Sequence, residues 1–146
     1  MHPDARPARS SAPPAIRGPG ARRSLGALGE ELAAAHLRRL DFAVLARNVR
    51  TRHGEIDLIA CDGSVLAFVE VKTRRASSGT TAGPGPDPLA GLGVRQRVRL
   101  RRLAAAWLAD GAAHRPTART IRFDAIGVTV DRRGRLLRLE HLAGAW

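Results

Sequence analysis

The chain has 146 residues, with 25 Lys or Arg against 13 Asp or Glu, a formal net charge of +12 and 44% apolar residues. That length holds one domain with a modest core, and the charge favours a polyanionic partner, nucleic acid ahead of an anionic membrane surface. The single cysteine, Cys61, excludes an internal disulfide and a cysteine-based zinc site and suits a reducing cytoplasm; three Phe, two Trp and no Tyr argue against an aromatic platform for single strands, so contact with a duplex backbone fits better.

Residues 1–23 mix Arg, Pro, Ala, Ser and Gly without the apolar run of a secretory signal, and are expected to form a disordered basic arm ahead of a folded domain at 24–146. No stretch is long enough to span a membrane. Ser24 is expected to cap a helix running through Glu30 and Leu37 to about Leu40. On a helical wheel Leu25, Ala33, Leu37 and Leu40 share one side, Glu31 falls near Arg38 on the polar side, and Glu30 borders the apolar stripe beside Leu37. Taken alone, Glu30 reads as an ordinary carboxylate stabilised by the helix macrodipole.

Three strands are expected at Phe42 to Arg47, Glu55 to Ala60 and Val65 to Lys72, the last two forming an antiparallel hairpin around Cys61-Asp62-Gly63-Ser64. Residues 76–93, rich in Gly and Pro, are expected to be a mobile loop. A second helix follows from about Val94 to Ala109, with Val98, Leu103 and Ala106 inward and Arg95, Arg99 and Arg102 recurring on the other side; five arginines between 95 and 102 make this the strongest basic patch. Strands at Thr120 to Val130 and Leu136 to His141, joined at Asp131-Arg132-Arg133-Gly134, complete the order αβββαββ, a mixed α/β sandwich pattern. His36 and His53 lack metal-ligand spacing and read as surface or packing residues, His141 as structural near the chain end rather than catalytic, Trp107 as core, and Cys61 as a turn residue.

Of the 25 basic residues, 24 are arginine and only Lys72 is lysine. Lysine is a compact point charge that can give up its proton, which guanidinium cannot. By strand alternation Glu55, Asp57 and Ile59 share one face, with Ile56 and Leu58 on the other; Glu70 and Lys72 likewise share a face, opposite Val69 and Val71. The hairpin can therefore bring Asp57 beside Glu70 and Lys72. Two readings fit. In one, Asp57, Glu70 and the main-chain carbonyl of Val71 ligate Mg²⁺ at roughly 2.1 Å, with Lys72 handling a water. In the other, these are solvent-facing strand charges with a Glu70 to Lys72 ion pair.

The segments Gly29-Glu30, Arg47-Asn48-Val49-Arg50, Gly54-Glu55-Ile56-Asp57-Leu58-Ile59 and Phe68-Val69-Glu70-Val71-Lys72-Thr73-Arg74, continuing through Arg122-Phe123-Asp124 and Glu140-His141-Leu142, resemble the YraN family of small bacterial proteins over about residues 24–146. The resemblance implies a restriction-endonuclease-like fold, a mixed β-sheet flanked by helices, with distant similarity to archaeal Holliday-junction resolvases. It also implies a D, E-x-K nuclease site using Mg²⁺ or Mn²⁺. By position, Asp57 would bridge the metal, Glu70 would be a second ligand, Lys72 the catalytic lysine, and Glu30 the helix acid that holds a metal-bound water; Glu55 and Thr73 would support them. Where the family tends to open its second helix with lysine, this chain has Arg95-Gln96. The expected function is a metal-dependent endonuclease on DNA, including branched or junction DNA. Arg50, Arg52, Arg74, Arg75, Arg95, Arg99 and Arg102 would hold phosphates, a homodimer is attractive by analogy, and no membrane or small-molecule cofactor is called for. The alternative is a nucleic-acid-binding module with this fold and little turnover.

Overall fold

The computed structural model describes residues 20–77, 87–110 and 116–146, with side chains from Leu25 onward. Its elements run α1 (Gly20–Arg39), β1 (Ala43–Thr51), β2 (Gly54–Cys61), β3 (Val65–Arg75), α2 (Val94–Asp110), β4 (Thr120–Val130) and β5 (Leu136–Leu142). One five-stranded sheet has the order β1-β2-β3-β4-β5, antiparallel throughout except for β3 and β4. That parallel pair needs a long return connection, and α2 lies within it. The architecture is the expected restriction-endonuclease-like α/β arrangement.

β3 is the centre of the sheet. Its residues Leu66 to Glu70 are all buried, as expected for a strand covered on both faces. On one face Ala33, Ala34 and Leu37 of α1 pack against Leu58, Ala60, Val69, Ile126 and Val128. On the other, Leu100, Leu103 and Ala104 of α2 pack against Ile56, Ile59, Leu66 and Phe68, and Trp107 meets Phe68 edge-on at 5.7 Å. Among the described residues, no helix is long and apolar enough to cross a membrane.

Several boundaries and faces differ from expectation. Ser24 lies inside α1, because the preceding Ala21-Arg22-Arg23 contains no helix breaker and the helix extends upstream to Gly20. Of the expected basic arm, residues 1–19 lie outside the described residues. Leu40 is exposed rather than inward, since α1 ends at Arg39 and the left-handed Asp41 (φ 65°) turns the chain away. Val98 is also exposed; the inward face of α2 is Leu100, Leu103 and Ala104. Cys61 is a buried end residue of β2 rather than part of the turn. Of the expected loop, residues 78–86 lie outside the described residues, but Leu89 is buried against Gly127, where an added Cβ would come within 3.0 Å of it.

Candidate active site

The β2/β3 ladder pairs Cys61 with Leu66 through Leu58 with Val69 and ends there. One residue further on, the Asp57 side chain takes over: its Oδ2 accepts the Val71 N–H at 2.8 Å. Alternation breaks at this point. Ile56 belongs to the α2-side core and Leu58 to the α1-side core, so the expected common face of these two residues does not hold. On the partner strand the irregularity falls at Asn48, which adopts a left-handed φ of 49° between the pairs Arg47 with Leu58 and Val49 with Ile56. Asn tolerates that conformation better than most residues.

The result is a fork between β2 and β3 lined with charge. Glu70 is buried, with only 6% of its surface exposed, which rules out the solvent-facing reading of this acid. Its Oε1 lies 3.2 Å from Lys72 Nζ and 3.9 Å from Arg99 Nη2. Burial, followed by the Glu70 charge, pushes the Asp57 carboxyl up to about 7; the Val71 N–H opposes the rise, while Glu30 and Glu55 add to it. Among the described residues Asp57 thus forms no ion pair of its own and stands in a cluster of acids.

Glu30 reaches this cluster from α1 because the helix sits directly on β3 at Gly29. A Cβ at that position would collide with the Thr73 side chain. Burial raises the Glu30 carboxyl above the usual range; a hydrogen bond from the Asn48 amide opposes this and the Glu55 charge reinforces it. Glu31, one residue on, points to solvent and pairs with Arg47 at 2.8 Å instead of Arg38. The contact seen at Val71 is through its N–H to Asp57.

Among the described residues, no three His, Cys, Asp or Glu side chains converge closely enough to form a ready metal cage. The donor set nevertheless suits a hard divalent cation. Two carboxylates on neighbouring strands, one of them carrying a strongly raised pKa, are relieved by a positive ion, and Mg²⁺ is commonly held by one or two carboxylates with waters.

Two grooves flank the fork. One, of about 470 Å³, is lined by Gly26, Ala27, Glu30, Asn48, Arg50 and Glu55. The other, of about 370 Å³, is lined by His53, Val94, Arg95, Val98, Arg99 and Arg102. Arg52 lies beside the second groove, donating from Nε to His53 Nε2 at 3.1 Å. Arg74 and Arg75 end β3 beyond the fork. Reasoning from sequence missed Asn48 as a functional position; its signal was an Asn inside a strand, where β-propensity disfavours it.

A second polar cluster lies on the far side of β3. Asp124, fully buried and paired in register with Val69, accepts two bonds from Arg122 and one from His141 Nε2, each at 2.8 Å, and one from Gly144 N at 2.9 Å. His36 of α1 reaches His141 Nδ1 at 3.1 Å. Burial would raise the Asp124 carboxyl, but the His141, Arg122 and Gly144 bonds outweigh it and hold the group at about 2. His141 accordingly has the structural role expected of it.

Comparison with known proteins identifies the family to which the chain is similar. A model of "Uncharacterised protein family UPF0102" matches residues 29–128. Similar curated proteins include a UPF0102 protein of Mycobacterium avium (strain 104), 51% identical over 82% of this chain and 88% of its own length. Another, from Parafrankia sp. (strain EAN1pec), is 46% identical over 84% of this chain and 95% of its own length. A third, from Pelotomaculum thermopropionicum, is 42% identical over 86% and 98% respectively. The matched region contains Glu30, the whole fork and Asp124.

Proposed function

The chain belongs to the uncharacterised protein family UPF0102, the YraN family, and from that membership and the geometry of the fork we propose that it is a metal-dependent DNA endonuclease of the D, E-x-K type. The observation that carries the reading is the pair of the half-buried Asp57 and the buried Glu70 on diverging strands, with Lys72 Nζ 3.2 Å from Glu70. Structural ion pairs are normally satisfied, whereas a carboxyl raised as strongly as that of Asp57 is typical of sites that act on a ligand.

Asp57 and Glu70 would hold Mg²⁺ or Mn²⁺, together with the Val71 carbonyl, which lies in the same stretch of β3. Such an ion, when bound, polarises a phosphodiester and lowers the pKa of water. Lys72 supplies a compact ammonium for the charge that builds on the phosphate, and its pairing with Glu70 fixes where that charge stands. Glu30, hydrogen-bonded by Asn48, is placed to orient water or accept a proton. Glu55 tunes the acids through its charge, and Thr73 seats α1. Arg50, Arg52, Arg95, Arg99 and Arg102 edge the two grooves, while Arg74 and Arg75 extend from the fork; together they suit phosphate contacts that give affinity without sequence preference.

The test is cleavage of duplex and branched DNA with Mg²⁺ or Mn²⁺ by the wild type, Asp57→Ala and Lys72→Ala. Cleavage by the wild type alone is the expected result, and activity that survives both changes would sink the assignment. A second reading, a nucleic-acid-binding module with little turnover, draws on one observation: Lys72 already neutralises Glu70 without any added ion. It predicts steeply salt-dependent DNA binding with no metal requirement and no cleavage.

A further inference from the structure

The valines on the outer side of α2 are exposed rather than packed in the core. Val94 is 72% exposed and Val98 44%, and both belong to a stretch otherwise dominated by arginine. They are four residues apart and so sit one above the other on the helix. Together with the His53 ring they form the apolar part of the 370 Å³ groove, whose remaining lining is Arg95, Arg99 and Arg102. The β1–β2 turn closes against the helix at Gly54, where a Cβ would touch Leu103 and Arg99. Arg99, which lines the groove, also reaches the acid cluster, its Nη2 lying 3.9 Å from Glu70 Oε1.

We propose that this groove is a nucleotide subsite, which takes one unpaired nucleotide of a DNA strand beside the phosphate held in the fork. Its arginines match the backbone phosphates, and its valine floor matches the apolar face of a sugar or base. A base stacked within a duplex shows proteins only its edges, so an apolar floor rewards a nucleotide that has left the stack. Its volume falls within the usual range for ligand pockets. Guanidinium planes and valine methyls do the work that aromatic rings do elsewhere, consistent with a chain poor in aromatics. Association with a second copy is disfavoured by bringing two arginine-lined faces together on chains of charge +12. An acidic partner protein would meet the same charge, but Arg99, shared between the groove and the acid cluster, favours a strand that runs past both.

The proposal rests on the nuclease reading for the identity of the ligand, yet it is tested without catalysis. Fluorescence anisotropy of the full chain in EDTA compares a labelled duplex carrying one unpaired nucleotide with a fully paired duplex of equal length. The expected preference for the unpaired nucleotide is about tenfold. Val94→Ser with Val98→Ser should bring the ratio close to one, and Leu137→Ser, a control on exposed β5, should leave it unchanged. These three side chains lie outside the core, so the fold survives the changes. Equal wild-type affinity for both duplexes, or a preference that persists in the double variant, would overturn the subsite. Displacement of either duplex from the wild type but not from the double variant by an acidic, leucine-containing peptide would assign the groove to a protein partner and likewise overturn it. Because no metal is present, loss of this preference leaves the cleavage result standing, and failure to cleave leaves the preference standing.

Discussion

Two aspartates flank β3 at nearly the same level, Asp124 fully buried and Asp57 half-buried, and they have opposite surroundings. Val69 pairs with Asp124 of β4 on one side and with Leu58, the neighbour of Asp57, on the other, so the two acids stand about two strand spacings, roughly 10 Å, apart. Asp124 has an arginine, a histidine and a main-chain amide, and is held at about 2. Asp57 has one main-chain amide and three acidic neighbours, and is raised to about 7. The two acids thus serve different ends. The first acid is a clasp tying β4 to β5 and, through His36, to α1; the second forms no ion pair among the described residues.

Breaking the clasp should have the largest effect on stability. Asp124→Asn leaves the Arg122 guanidinium partly buried without its counter-charge, and should cost roughly 3–5 kcal/mol in urea unfolding at neutral pH. In the wild type this contribution is present above the ordinary value of 3.8 and is lost as pH falls towards about 2.

The same substitution at Asp57 should act in the opposite sense. The folded-state value of about 7 lies above the ordinary 3.8, so the carboxyl favours folding only while protonated, and that contribution is lost as pH rises through about 7. At about pH 8, Asp57→Asn should therefore stabilise the metal-free protein by on the order of 2–4 kcal/mol while lowering cleavage more than about 100-fold. The stability difference should vanish at about pH 4, and a variant less stable than the wild type at about pH 8 would contradict the unpaired role of Asp57.

Two smaller changes sharpen the contrast. Gly29→Ala drives a methyl into Thr73 and should cost about 1–3 kcal/mol, with Thr73→Gly restoring part of it in the double variant; additive losses would show that α1 does not seat there. Lys72→Arg keeps the charge beside Glu70 but not the compact ammonium. Cleavage should fall at least about tenfold while DNA affinity in EDTA changes less than about twofold. Equal cleavage by the Arg variant would return Lys72 to an ordinary ion pair.

The sequence pattern was most legible where one physical rule acts alone. β4 lies where its apolar run and flanking turns put it, and β3 differs only in extending to Arg75, because long strands and a buried central position leave strong signals. Alternation also identified Glu70 and Lys72 as same-face neighbours, and they meet. It failed at Ile56 and Leu58, because the left-handed Asn48 on the partner strand upsets the local pairing, and tertiary context of that kind is invisible to a period-two count. Val98 was misjudged because a β-branched apolar residue normally signals core, whereas here it floors a groove. The Asp124 clasp joins residues from α1, β4 and β5 separated by as many as 105 positions, and no local pattern encodes it.

The central claim is that the unpaired charge of Asp57 is there to receive a divalent cation. Calorimetric titration of Mn²⁺ into the full chain at about pH 6, repeated in buffers of different ionisation enthalpy, tests it directly, since a carboxyl with a value near 7 must lose its proton to bind metal. The expected result is one stoichiometric site that releases about one proton in the wild type and is absent from Asp57→Asn. Binding without proton release, or an undiminished site in the variant, would contradict it.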